Sequence, residues 1–178
     1  MMLTALHSSI MSMAGAISDV LAHKPRQTLP ADLLSVANAV LDEISREGGS
    51  ANLIRLQRLT ILSQLWHVAI HDRPMFTDAM VVLSGRPALL GIHSAFRRHG
   101  MDPITGRARI PEVPQFEYPS DDDEGRLEIV GAVVKAYDRF TDYRLGEILT
   151  SLIGAVNDGG TVDQRLAAQR LLASLKQD

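Results

Sequence analysis

His67 and His71 stand four residues apart, a spacing that on a helix puts two imidazoles on one face and could present them to a metal ion. No Glu follows His67, so the H-E-x-x-H arrangement of a zinc protease is absent, and no third ligand has the expected spacing. His93 and His99 lie too far along the chain to complete the set by spacing alone. The expected reading is two ordinary surface or partly buried histidines and no metal. Serine chemistry has no more support: neither G-x-S-x-G nor an S-x-x-K pattern with its partners occurs. The glycine-rich phosphate loops, G-x-G-x-x-G and G-x-x-x-x-G-K-[ST], are missing too. No cofactor is therefore expected, and the chain does not read as an enzyme; a metal-dependent enzyme built on His67 and His71 is the alternative on that side.

Two other constellations could bind rather than react. Arg97, Arg98 and His99 form a short basic knot, and Arg107 and Arg109 follow within one loop. Such a patch could contact phosphate or an acidic protein surface, although cations at the end of a helix also serve simply to complement its dipole. The acidic run Asp121 to Glu124 reads as a solvated loop leading into a helix start. Gln57 and Arg58 interrupt an otherwise apolar helical stretch, which implies either an internal polar network or the lining of a binding groove. Trp66, the only tryptophan, falls at core spacing and is expected to be buried against Leu62 and Ile70.

Composition narrows the classes. The chain has 178 residues, 46% of them hydrophobic and 22% charged, as expected of one folded domain with a real core. Its formal net charge of −3 lacks the basic excess that drives phosphate neutralisation, so nucleic-acid binding is disfavoured and a regulator acting through Arg97, Arg98, Arg107 and Arg109 is the second alternative. There is no cysteine, which excludes disulfides, thiolate-bound metal and thiol catalysis. The N-terminal stretch lacks a basic leading segment and its apolar run is broken by His7, Ser8, Ser9, Ser12 and Asp19, so no secretory signal or membrane span is expected and the protein is read as cytoplasmic.

The elements that must position these residues are helical. Leu3, Leu6, Ile10, Met13, Ile17 and Leu21 recur at three- and four-residue steps and predict a helix over 2–22. A second is predicted over 30–47, capped by Thr28 and stopped by Gly48 and Gly49, and a third from Ser50 or Asn52 to about His71. Thr77 and Asp78 predict a short helix through about Leu83, and Pro87 the first turn of another that ends at Gly100. The prolines and glycine of 101–125 predict an irregular loop with room for a short hairpin. Helices over about 125–139, 142–156 and 161–176 complete an all-α single bundle of about seven helices.

The stretch Asn52-Leu-Ile-Arg-Leu56-Gln57-Arg58-Leu59, continued by Trp66-His67-Val-Ala and Arg73-Pro74-Met75-Phe76, resembles the signature of the Panacea antitoxin domain, also called SocA-like or GepA-like. Pro87-Ala88-Leu89, Ala95 to Gly100 and Tyr137 to Thr150 are similar to its later segments. The resemblance covers 30–151, leaving 1–29 and 152–178 as N- and C-terminal helical extensions. Arg58 stands where the pattern has Lys, Leu83 where it favours Trp, Arg86 in place of the Gly of G-P-V, and Ser151 in place of a terminal His. The resemblance implies an α-helical antitoxin that binds and neutralises a cognate protein toxin, in some members as an adaptor handing the toxin to an ATP-dependent protease. It marks Gln57, Arg58, Trp66, Pro74, Phe76 and Pro87 as the partner-binding or structural signature.

Overall fold

The computed structural model describes residues 31–108 and 124–175. The helix expected over 2–22 and Arg109 lie outside the described residues. Six α-helices and one small sheet appear among them: α1 (Leu33–Arg46), α2 (Leu53–His71), β1 (Val81–Leu83), β2 (Arg86–Ala88), α3 (Leu90–Phe96), a 3-10 turn (Arg97–His99), α4 (Glu124–Tyr137), α5 (Asp142–Ile153) and α6 (Gln164–Ser174). No helix among the described residues is long and apolar enough to cross a membrane.

The helix boundaries follow from side chains that satisfy otherwise unpaired amide hydrogens. Asp32 accepts from the amides of Leu34 and Ser35 to open α1, Asn52 from Arg55 to open α2, Thr141 from Arg144 to open α5, and Asp163 from Leu166 to open α6. Asp32 thus takes the place expected of Thr28. The stop of α5 depends on Gly154, whose φ of +69° suits glycine and whose missing Cβ leaves room for the Arg170 guanidinium. Arg170 in turn donates to the Leu152 carbonyl at 3.0 Å.

The described residues are mostly helical, in rough agreement with the all-α expectation, but a small two-stranded antiparallel sheet joins the helices, and its first strand lies where Thr77 to Leu83 was expected to be helical. Ser84 and Gly85 both take positive φ, 51° and 72°, the conformation of a two-residue hairpin turn whose twist matches the flanking strands. Leu83 pairs with Arg86, Val82 with Pro87 and Val81 with Ala88. The outward groups of Val82 are used as well: its amide donates to the Gly160 carbonyl at 2.9 Å, and its carbonyl accepts from Gly159 at 2.7 Å. Pro87, expected in the first turn of a helix, sits in β2 opposite Val82, where its missing N–H removes an edge donor. The hairpin therefore lies at 81–88 instead of in 101–125; residues 101–108 contain no strand, and the rest of that loop lies outside the described residues.

Buried apolar side chains from every α-helix join one cluster. At its centre is α2, which touches every other α-helix of the described residues and β2. Its burial runs all the way round, so Thr60, Ser63, Gln64 and His67 are buried together with Leu56, Leu59, Leu62, Leu65 and Trp66. Thr60 and Ser63 return their hydroxyls to the carbonyls four residues back, at 2.8 and 2.9 Å. The other polar side chains of α2 fasten the surface loops.

Candidate partner-binding site

Gln57 and Gln64 lie seven residues apart, two turns along one face of α2. Gln57 accepts from the Leu89 amide at 3.0 Å and so fixes the passage from β2 into α3. Gln64 does more. Its Oε1 accepts from the amides of Met75 and Phe76 at 2.8 and 3.2 Å, and its Nε2 donates to the Phe76 carbonyl at 2.8 Å and to Gln164 Oε1 at 2.7 Å. One buried amide thereby holds the 75–76 backbone and the start of α6. Sequence reasoning passed over Gln64; the available signal was a second glutamine two turns after Gln57 on an apolar helix.

His67 and His71 lie side by side, ring centroids 4.7 Å apart. His67 Nδ1 meets the Arg73 carbonyl at 2.8 Å, so that nitrogen carries the proton. Burial, and then the charges of His71, Arg126 and Arg73, outweigh that bond and hold the His67 pKa down to about 3. His71 is lowered for the same reasons, burial first and then Arg73 and Arg126. Both pKa values lie below the ordinary imidazole value, so both rings are largely neutral near pH 7. Among the described residues no third His, Asp or Glu joins them.

The remaining signature residues separate by depth. Trp66 is 1% exposed and its indole N–H donates to the Tyr137 hydroxyl at 3.3 Å, which ties α2 to α4. Burial pushes the Tyr137 pKa up to about 12. Phe76 is buried and Pro74 exposed, and both line an open cleft of about 410 Å³ between the 73–77 loop and the start of α6. The cleft's polar rim is already engaged: Gln164 with Gln64, Arg165 with Asp72 at 3.4 Å, and Asp163 with the Leu166 amide. Arg97 and Arg98 are exposed on the 3-10 turn, where Arg98 meets His99 at 3.2 Å. Arg107 turns instead to α1, forking onto both oxygens of Asp42 at 3.0 and 2.9 Å.

At the other end of α2 the fastening groups are charged. Arg55 donates to the carbonyls of Phe140 and Asp138 at 3.0 and 2.7 Å and reaches the Asp142 and Asp138 carboxylates at 3.3 Å. Asn52 donates to Asp142 Oδ2 at 3.2 Å. Arg58, 9% exposed, donates through Nη1 to the Asp142 carbonyl. Its guanidinium lies on the backbone of α5 at Gly146, where a Cβ would come within 3.1 Å of Nη2. Burial lowers the Arg58 pKa, the Asp142 charge opposes that, and the Arg86 charge lowers it further. Arg86 is exposed on the same face of the hairpin as its cross-strand partner Leu83, itself 45% exposed.

Comparison of the chain with protein-family profiles, with curated proteins and with solved structures finds no match.

Proposed function

We propose that the chain is an antitoxin that binds a cognate protein toxin directly, and that the face formed by Arg58, Arg86 and Leu83 is part of the contact. The finer architecture goes with this reading: one helical bundle whose 30–151 region is Panacea-like, with helical extensions at both ends. The carrying observation is how α2 uses its polar side chains. Gln57, Gln64 and His67 direct their bonds to the chain's own loops and to Gln164, which is a structural role, while Arg58 makes one bond among the described residues, to the Asp142 carbonyl, and leaves Nε and Nη2 unbonded near a hairpin that exposes Arg86 and Leu83. Interfaces favour that combination of arginine with apolar surface. Three positions at which the chain departs from the resembled signature, Arg58, Leu83 and Arg86, fall on this one face.

The test is co-expression with the product of the neighbouring reading frame. A toxic product whose growth arrest is relieved by the chain, and which copurifies with it, supports the reading; a neighbour that is harmless, or arrest that persists despite soluble antitoxin, contradicts it. The adaptor form adds one readout. If the toxin is delivered to an ATP-dependent protease, its lifetime shortens only when the chain and that protease are both present.

A further inference from the structure

The Arg58 side chain is 9% exposed and makes one hydrogen bond, from Nη1 to the Asp142 carbonyl. Its Nε and Nη2 have no hydrogen-bond partner among the described residues, yet they are not sealed from solvent, since the buried unsatisfied side-chain atoms include none of Arg58. A guanidinium presents its donors as a rigid planar fork, and one left open at the surface matches the two oxygens of a carboxylate. The neighbouring carboxylate does not fill that role: Asp142 is held by Asn52 at 3.2 Å and by Arg55 at 3.3 Å. Arg144 and Glu147 on the same helix are bonded to each other at 2.9 Å. Arg86, exposed, makes no side-chain hydrogen bond or ion pair with a described residue, and β2 packs against both α5 and α2. The Arg58 fork thus lies over Gly146, which has no side chain to cover it, beside a carboxylate, Asp142, that is engaged by Asn52 and Arg55, and the hairpin strand that carries Arg86 packs against the same two helices.

We propose that Arg58 and Arg86 form a seat for one carboxylate, the side chain of an Asp or Glu on the partner protein. The assignment rests on the antitoxin reading for the identity of that partner, but the seat is a property of this chain alone. A protein carboxylate is favoured over a nucleic-acid phosphate because the seat is one fork deep and lies beside exposed Leu83, and because the formal net charge of −3 opposes a polyanion. Leu83 and Arg86 are positioned by a hairpin turn that is fixed on its far side to 158–160, with Gly85 donating to Asp158 at 3.3 Å, so the seat is preorganised.

A hexaglutamate peptide, acetylated and amidated at its ends, is titrated into the full chain and followed by the Nε–Hε resonances of the arginines. Saturable shifts at Arg58 and Arg86 are expected, with Arg86→Ala weakening binding about tenfold. Gly146→Ala is expected to do the same by pushing a Cβ against the Arg58 fork, and because Arg86 is exposed its variant decides the matter should Gly146→Ala fold poorly. Arg97→Ala, an exposed arginine outside the seat, is expected to leave the affinity unchanged. Equal losses from Arg86→Ala and Arg97→Ala would reveal diffuse attraction and overturn the seat. Tighter, Arg86-dependent binding of a short DNA duplex would overturn the carboxylate assignment. Loss of toxin neutralisation in Arg86→Ala supports use of the seat by the toxin, whereas intact neutralisation removes the toxin as its occupant and leaves the antitoxin reading standing. A chain that neutralises no toxin defeats that reading, and the peptide titration still decides the seat.

Discussion

In the N-terminal half of α2, Asn52, Arg55 and Arg58 hold the turn between α4 and α5 with charge, through two guanidiniums that reach the carbonyls of Asp138, Phe140 and Asp142 and two carboxylates. In the C-terminal half, Gln64 and His67 hold the 73–76 loop with a neutral amide and a neutral imidazole. The difference follows depth. Gln64 is 0% and His67 2% exposed, where an ionised group would carry a large desolvation cost, whereas Arg55 lies near the surface and its charge remains partly solvated. One helix thus fastens two loops with devices that respond to different conditions.

The largest effect is expected at Trp66, which lies between the halves and ties α2 to α4. Trp66→Ala should cost about 3 to 5 kcal/mol in denaturant unfolding and loosen both loops together; a loss confined to one loop in hydrogen exchange would break the picture of a common spine. Next is Gln64→Leu, which fills similar space but leaves the amides of Met75 and Phe76 without their acceptor. A loss of about 2 to 4 kcal/mol that is insensitive to salt is expected in urea titrations at low and high ionic strength.

The neutral half should also be the pH-sensitive one. The His67 pKa is about 3 in the folded chain against 6.5 as its ordinary value, so the unfolded chain takes up a proton first as pH falls. Its contribution is complete above pH 6.5 and is lost on the way down towards 3, about 2 to 3 kcal/mol between pH 7 and 4.5. Depression of His71 acts in the same direction. Unfolding titrations at the two pH values should show a smaller difference in His67→Gln than in the parent; an identical difference would place the acid sensitivity elsewhere. Arg55→Ala should cost the least, about 1 to 2 kcal/mol, because its carboxylate partners are partly exposed. Unlike the Gln64 effect, that cost should shrink in 1 M salt, where screening acts over about 3 Å.

Much of α2 was legible in advance. Asn52 as one of two caps on offer, the end near His71 and the burial of Trp66 follow from helical spacing, while Gln57 was open between an internal network and a groove and is found accepting from the Leu89 amide. What could not be read was whatever depends on distant backbone. Val81 to Leu83 is an apolar run too short for its period to separate strand from helix, and its outward partners, Gly159 and Gly160, lie far along the chain. Asn38 is similar: fully buried on α1, it exchanges bonds of 3.1 and 2.8 Å with the backbone of Ala108, which no local pattern announces. The candidate site was half visible. Arg58 stood out as a charge on an apolar helix, but Arg86 and Leu83 join it only because the hairpin forms.

The central claim, that this face binds a protein toxin, is tested most directly by calorimetric titration of the purified toxin into the chain and into Leu83→Asp. Leu83 is 45% exposed, so the substitution should leave the melting temperature unchanged, and a like charge set beside the carboxylate seat should oppose an acidic partner. The account predicts saturable binding by the parent chain and an affinity at least about tenfold weaker in Leu83→Asp. Equal affinities in the two proteins, with both fully folded, would contradict it.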